Sequence, residues 1–541
     1  MNIRFTNILF TNRLCFRKML AVVVFALGSH PVQAKPPLQL QTKLHAGSFR
    51  GATMPFTTYE AENARRSGAR ENVDPSVKEA SSGKSYVQLG ATGDSIQFNN
   101  VIAANRLILR YSIPRGSAGT LNLYLNGVFS QKIPLDSAHC YDAGKPDFFI
   151  RRYDEKAVTI HIPAGSSIKI EKEDADKCSW YGIDLIDLET APKPLTMPAN
   201  CVSIADFGAS GTGTSDSRSA IVNCLRTAQK LHKGVWIPPG TYSVSSRIEI
   251  PAGVNIHGAG YWYSCLYYPN PGTTYSDAIG FKIDGSSTVS HIKFVGNGLS
   301  RAAATILFGS IGSFVTLDHC WIQNVGCVFG WCDFHHNTVK NCRIYGTYFD
   351  GIHWGDGAAY DNLAQNNYFR GLGDDAIAQV NRSDFGLAHD NVAEFNTVVA
   401  SYWGRGMSDV GGDTLTLRDN IISSTYLAGV MISTEPLSPS VSRPIRGLKL
   451  LRDTIQFCGH TGHNHAGIHC WLSTNPMQDI LIADCLVKNG ETGGIHFDNT
   501  GYGDSAGRTV IKNTIVKQNA GSAYSNDNKK ITPVLIGNTM K

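Results

Sequence analysis

The chain has 541 residues, too many for one compact core, so two or three domains, or one domain joined to a solenoid, are expected. Its 49 basic and 44 acidic residues give a net charge of +5, and four of the basic residues (Arg4, Arg13, Arg17, Lys18) lie in the first 34 positions, which hold no acid. Setting those four aside leaves 45 basic against 44 acidic residues, a balance with no electrostatic footprint for nucleic acid or anionic membrane and no special reason for a polyanionic substrate.

Residues 1–34 read as an export signal: the four basic residues, an apolar run from Met19 to Leu27, then small residues around Val32-Gln33-Ala34. That run is too short to span a bilayer. Cys15 precedes the run, which argues against a lipid-anchored N-terminus. The expected location is secreted, extracellular or periplasmic. Thirteen cysteines, twelve without the signal, suggest pairing in such a compartment, with Cys140–Cys178 and Cys201–Cys224 as local candidates. Cys320, Cys327, Cys332 and Cys342 lack the CxxC doublets of a zinc site. They are expected to stack or pair inside repeated turns of chain.

Residues 35–55, rich in Pro, Gln and Gly, read as a linker. A β-sandwich is expected over 56–190, where short alternating strands such as Ser85–Leu89, Ser95–Phe98, Leu107–Tyr111 and Leu121–Leu125 are separated by Gly and Asn turns. Three prolines between Ala191 and Pro198 mark the domain boundary. After it, Ser215-Asp216 is expected to start a helix with Ile221, Cys224, Leu225, Ala228 and Leu231 on one face, ended by Gly234. This helix would cap a solenoid running over 199–541.

The solenoid shows as Asn or Asp before a short apolar run: Asn341, Asn367, Asn396, Asn420, Asp453, Asp484, Asn513 and Asn538. Their spacings are 26, 29, 24, 33, 31, 29 and 25 residues, the range of a parallel β-helix. Uneven spacing implies loops of varying length, which would wall a cleft suited to an extended polymer.

The densest polar region is Tyr348 to Asp356 followed by Leu372 to Gln379. With a coil of about 25 residues, Asp350 and the Asp374-Asp375 pair stack one coil apart, about 4.8 Å in rise. Crowded carboxyls repel, so one holds a proton while others stay ionised, the asymmetry that glycoside hydrolysis needs. His353, Trp354, Tyr402, Trp403 and Arg405 are the candidate substrate contacts: aromatics to stack on sugar rings, His353 to donate a hydrogen bond, Arg405 to hold a hydroxyl or orient a carboxylate. Any one of these acids alone reads as a turn residue, and Trp403 reads equally as loop packing. The run His460, His463, His465, His469 lacks a completing ligand set and reads as a hydrated loop, while His496 and Asp498 fall outside the catalytic subsite.

Val202–Ala209, Ser215-Asp216, Ala220-Ile221 and Val235–Tyr242 resemble the entry segment of pectate-lyase-like proteins, which implies an all-β, right-handed parallel β-helix behind the N-terminal sandwich. Asp350–His353, Asn366–Arg370, Gly373–Ala378, Tyr402–Met407 and Ala428–Met431 are similar to glycoside hydrolase family 87, the α-1,3-glucanases and mycodextranases. That resemblance implies an inverting hydrolase with Asp374 as general acid and Asp350 and Asp375 holding the attacking water. Polygalacturonases share the Asp then Asp-Asp layout, but their Asn-Thr-Asp, Gly-His-Gly and Arg-Ile-Lys motifs are missing. The same solenoid also accommodates a polysaccharide lyase or a non-catalytic, polysaccharide-binding adhesin.

The front domain, with Tyr59–Ala64, Gly93–Phe98 and Tyr181–Asp187, looks like a carbohydrate-binding module of family 35 or 6. The resemblance implies a structural calcium at Glu60, Glu62 and Asp184, whose oxygens suit that cation. Trp180 and Tyr181 would face sugar or close the sandwich core. No cofactor is expected for catalysis, and the partner is a polysaccharide, met by a monomer.

Overall fold

The computed structural model describes residues 50–142, 150–174, 176–270, 280–298, 306–309, 312–330, 333–437, 439–460, 462–498 and 508–541. The export signal, the linker up to residue 49, Cys15 and Cys332 lie outside the described residues. Among the described residues, no helix is long and apolar enough to cross a membrane.

Among the described residues of 56–189, antiparallel sheets of six and five strands build one core from their inward-facing residues, and Tyr141–Asp142 pairs with Ile150–Arg151 beside them. Ser95–Phe98 is a strand with the expected bounds, and Leu107–Tyr111 and Leu121–Leu125 lie inside the strands Ala104–Ser112 and Ala118–Leu125. From Cys201 onward the chain winds into a parallel β-helix with sheets of 13, 13 and 11 strands among the described residues. The first sheet starts at Cys201–Ser203, the second at Thr212–Asp216 and the third at Ile248–Ile250. Every strand pairs with its counterpart one coil on, so the buried core runs the length of the solenoid.

The capping helix spans Arg218–Leu231. It begins later than expected, because Ser215 and Asp216 end the strand Thr212–Asp216, and Asp216 accepts a hydrogen bond from the Arg218 N–H at 3.0 Å. It stops on His232, which is left-handed with φ of 54°, while Gly234 opens the next strand. Ile221, Cys224, Leu225 and Ala228 are buried as expected, but Leu231, on the last turn, is 53% exposed.

The repeat signal combined two different positions. In most coils the corner residue is left-handed, as at Asn341, Asn366, Asp419, Asp484 and Asn513. The residue after it points inward and forms a ladder: Asn367, Asn396 and Asn420 accept from the backbone N–H one coil earlier at 3.0, 3.0 and 2.9 Å, and Asp453 accepts at 2.8 Å from Asn420. Asn367, Asn396, Asn420 and Asp453 are thus ladder members, whereas Asn341, Asp484 and Asn513 are corners. In those coils the ladder position is held by Cys342, Cys485 and Thr514.

That placement accounts for Cys342 and Cys485. Among the described residues all eleven are free, so the pairs Cys140–Cys178 and Cys201–Cys224 do not form. Their thiols face polar atoms instead: Cys140 the Tyr111 carbonyl, Cys178 the Trp180 carbonyl and Cys224 the Val202 carbonyl. Buried thiols here act as small apolar fillers.

Residues 50–55 are not a free linker. Arg50 reaches the Asp484 carbonyl at 2.9 Å, the Gly51 N–H donates to the Asp419 carbonyl at 2.7 Å, and the Ala52 N–H donates to Thr397 Oγ1 at 2.9 Å. This strap lies along the second sheet of the helix. The sandwich covers the neighbouring coils through a buried ionic layer. Arg370 grips Glu155 with two contacts of 2.8 and 2.9 Å and Asp187 at 2.6 Å, and Arg343 meets Glu189 at 2.6 Å. Burial pushes Glu155 up to about 7, against the pull of Arg370 and Arg110. A two-point guanidinium contact is nevertheless the geometry of a carboxylate ion, so the pair is ionised.

Candidate active site

In the third sheet, Ile352–Gly355 and Ile377–Val380 pair in register, Ile352 opposite Ile377. Two residues before each of these stand Asp350 and Asp375, with Asp374 alongside. The Asp375 N–H donates to Asp350 Oδ1 at 3.0 Å, and ligand oxygens of Asp350, Asp374 and Asp375 lie within 4.8 Å of one another. The expected juxtaposition across one coil is therefore present. Gly404 makes the close approach of the next coil possible, since a Cβ there would overlap the Asp374 backbone.

Two cations stand behind the cluster. His353 Nδ1 lies 2.7 Å from Asp350 Oδ2, and its Nε2 lies 3.7 Å from Asp356. Burial lowers the His353 pKa, but the hydrogen bonds and charges of Asp350 and Asp356 outweigh it and push the value up to about 10. The ring is an imidazolium at neutral pH. Arg405 donates its backbone N–H to Asp375 Oδ1 at 2.8 Å, places Nη1 3.3 Å from Oδ2, and anchors Nη2 on Glu435 at 2.7 Å. The Ser408 hydroxyl adds a third bond to Asp375, at 2.5 Å. Burial, with the charges of Asp374 and Asp350, still pushes Asp375 up to about 7 against the pull of Arg405. The crowding and burial therefore favour the protonated form of Asp375.

The five candidate substrate contacts divide. His353 and Arg405 orient carboxylates. Trp354 does not face a substrate: it is 1% exposed in the helix core, because strand alternation turns it inward when His353 turns outward. Tyr402 is 2% exposed and packs with Val77, Ala80, Tyr86 and Tyr153 of the sandwich. Trp403, half-buried beside them, stacks on Tyr426 at 5.5 Å. Tyr181 closes the sandwich core, and Trp180 packs at the domain junction. Of the histidine run only His469 departs from a hydrated loop: it lies in the strand Ile468–Leu472 at 2% exposure and stacks on His465 at 4.7 Å, while His460, His463 and His465 are half-buried outside the strands.

Ser408, Glu435 and Asp356 were missed as site residues. Ser408 had a readable signal, because it occupies the strand position of His353 two coils on. Glu435, thirty residues from Arg405, had none.

The expected calcium ligands Glu60, Glu62 and Asp184 lie close enough to repel, burial and the charges of Asp184 and Glu62 pushing Glu60 up, and the Oε2 atoms of Glu60 and Glu62 are buried without a hydrogen-bond partner. Asp184 is taken by the Arg110 guanidinium and by the Ser82 N–H at 2.9 Å, and Glu60 accepts from the Ser82 hydroxyl at 2.9 Å. Among the described residues, the one trio of candidate ligands within 4.8 Å is Asp350, Asp374 and Asp375.

Comparison with known proteins gives a consistent result. The family described as α-1,3-glucanase catalytic domain D1 matches residues 53–191, and α-1,3-glucanase catalytic domain D2 matches residues 211–436. No curated protein matches the chain. Among solved structures, the Agl-KA catalytic domain is 20% identical with a TM-score of 0.76, covering 92% of this chain and 100% of that one. The catalytic unit of the thermostable GH87 α-1,3-glucanase from Streptomyces thermodiastaticus strain HF3-3 is 22% identical, with a TM-score of 0.73 and coverage of 90% and 97%. A GH87 α-1,3-glucanase catalytic domain in complex with nigerose is 23% identical, with a TM-score of 0.72 and coverage of 90% and 96%. At these identities the likeness establishes the fold.

Proposed function

The chain belongs to the α-1,3-glucanase family, glycoside hydrolase family 87, and from that premise we propose that it cuts an α-1,3-linked glucan by inverting hydrolysis at Asp350, Asp374 and Asp375. It is a glycoside hydrolase acting on a polysaccharide. The observation that carries the finer reading is the cluster itself: three carboxyls within 4.8 Å, two of them fixed from behind by His353 and Arg405.

Asp350 spends one oxygen on the Asp375 N–H and the other on His353, and Asp375 is held by Arg405 and Ser408. Carboxylates fixed in this way suit holding and deprotonating a water better than swinging onto an anomeric carbon. Asp374, as the family resemblance implies, then protonates the leaving oxygen. The 4.8 Å grouping is tighter than the roughly 6.5–9.5 Å usual between the acid and base of inverting enzymes. The stereochemical proposal therefore rests on the fixed carboxylates and the resemblance. NMR of the first product decides it: a β-anomer is expected, and an α-anomer overturns inversion.

Elimination is disfavoured, because Arg405, the one cation on Asp375, is pushed further up by Glu435 and Asp375 and cannot serve as a base. The signal-like residues 1–34 support export, and the polymer is met by a monomer. Incubating the protein with a panel of α-glucans tests the whole reading. Reducing ends are expected from α-1,3-glucan and are lost in Asp374→Asn; no release from any α-glucan sinks it.

A further inference from the structure

The outward-facing row of the third sheet that serves the cluster continues beyond it. Strand pairing aligns His353, Ala378, Ser408, Met431, then His469, His496 and Ser525 in successive coils. At one end, His353 bonds Asp350 and Ser408 bonds Asp375. At the other, the row opens into a pocket lined chiefly by Asn464, Thr492, His496, Ser522, Ser525 and Asp527. His496 lies four coils from Ala378, roughly 19 Å at about 4.8 Å per coil.

The His496 side chain forms the pocket floor at 7% exposure, with Nε2 3.0 Å from Oδ2 of Asp527, whose own side chain is 64% exposed. His469 packs its ring against His496 at 5.1 Å. The lining offers hydroxyls, an amide, an imidazole and one carboxylate, with no lysine or arginine. A single acid and no basic residue suit neither an anion nor an apolar group. Paired donors and acceptors around a carboxylate suit a neutral polyol. A metal is excluded on ligand count, since the trio of close ligands among the described residues lies at the cluster.

We infer that this pocket is a remote saccharide subsite, holding one glucosyl unit of the bound chain through hydroxyl hydrogen bonds to Asp527 and to the rim. The inference rests on the α-glucan reading for the identity of its ligand. Its position makes a specific demand: only a chain extending several units beyond the scission point reaches it.

Kinetics on α-1,3-linked heptasaccharide and trisaccharide test this in Asp527→Ala and His496→Gln, the first a change at an exposed side chain that leaves the fold intact. The ratio of kcat/KM for the long substrate to that for the short one is expected to fall about tenfold, the loss of one or two hydrogen bonds, through KM. An unchanged ratio in both variants overturns the subsite. If the wild-type protein releases no sugar from either substrate, the hydrolase reading fails separately. The subsite is then judged by NMR of the His496 ring, identified by its loss in His496→Gln, during titration with the heptasaccharide. A shift supports it, and a silent ring overturns it.

Discussion

Two buried groups of carboxylates lie in this molecule, and they behave in opposite ways. Under the sandwich, three arginines serve four acids: Arg370 holds Glu155 and Asp187, Arg110 holds Asp184 and Arg343 holds Glu189, so most of the buried negative charge is matched. In the third sheet, Asp350, Asp374 and Asp375 share His353 and Arg405, and both of those cations are also claimed by a further acid, Asp356 or Glu435. Matched charge fixes the orientation of two domains; unmatched charge holds a proton. The count of cations around a buried acid, more than its burial, separates a structural group from a reactive one.

The sharpest test removes an acid from the unmatched group. Asp374→Asn is expected to lower kcat on α-1,3-glucan by about 10²–10⁴, with a melting temperature equal to or above that of the wild type, because one repelling charge is gone. A variant that melts lower would place Asp374 in the structural class and break the contrast.

Removing a cation from the matched group should do the reverse. Arg370→Met strands Glu155 and Asp187 without their shared partner, and a stability loss of roughly 3–5 kcal/mol is expected in denaturant unfolding. Replacing Glu155 and Asp187 by apolar residues in the same background should recover most of it. A smaller effect is expected from the ladder. Asn396→Ala leaves the Asn367 N–H, now bonded to the Asn396 side-chain oxygen at 3.0 Å, without its acceptor, for a loss of about 1–3 kcal/mol.

The sequence showed these two regions unequally. The coil length was readable because corners and ladder residues recur each turn, and it was enough to bring Asp350 over Asp375. It was not enough to separate the two signals, since Asn serves both as a left-handed corner at Asn366 and as an inward ladder member at Asn367. Trp354 was misread for a related reason. Its neighbour His353 belongs to the site, and only the in-out phase of the strand tells them apart. The ionic layer was invisible, because Arg370 and Glu155 are 215 residues apart and no local pattern ties them. The same holds for Tyr402, whose partners come from the sandwich.

The last effect is the most diagnostic, because it depends on the sign of one titration. An unfolded aspartate titrates near 3.8, whereas Asp375 in the folded protein titrates at about 7. Below pH of about 4 both states carry the proton, and the group contributes nothing to stability. As pH rises toward 7 the unfolded chain releases its proton first, so the folded state loses stability, and above about 7 the penalty is constant. Asp375→Asn abolishes this dependence. Whatever the substitution does to the contacts with Arg405 and Ser408, the melting temperature of the variant relative to wild type should rise by a few degrees between pH 4 and 7 and then level off. The kcat/KM of the wild type should rise over the upper end of the same window, as Asp375 loses its proton and becomes able to accept one from the attacking water. A relative melting temperature that is flat with pH would mean that Asp375 carries no penalty from its unmatched charge, and the contrast between the two regions would fail.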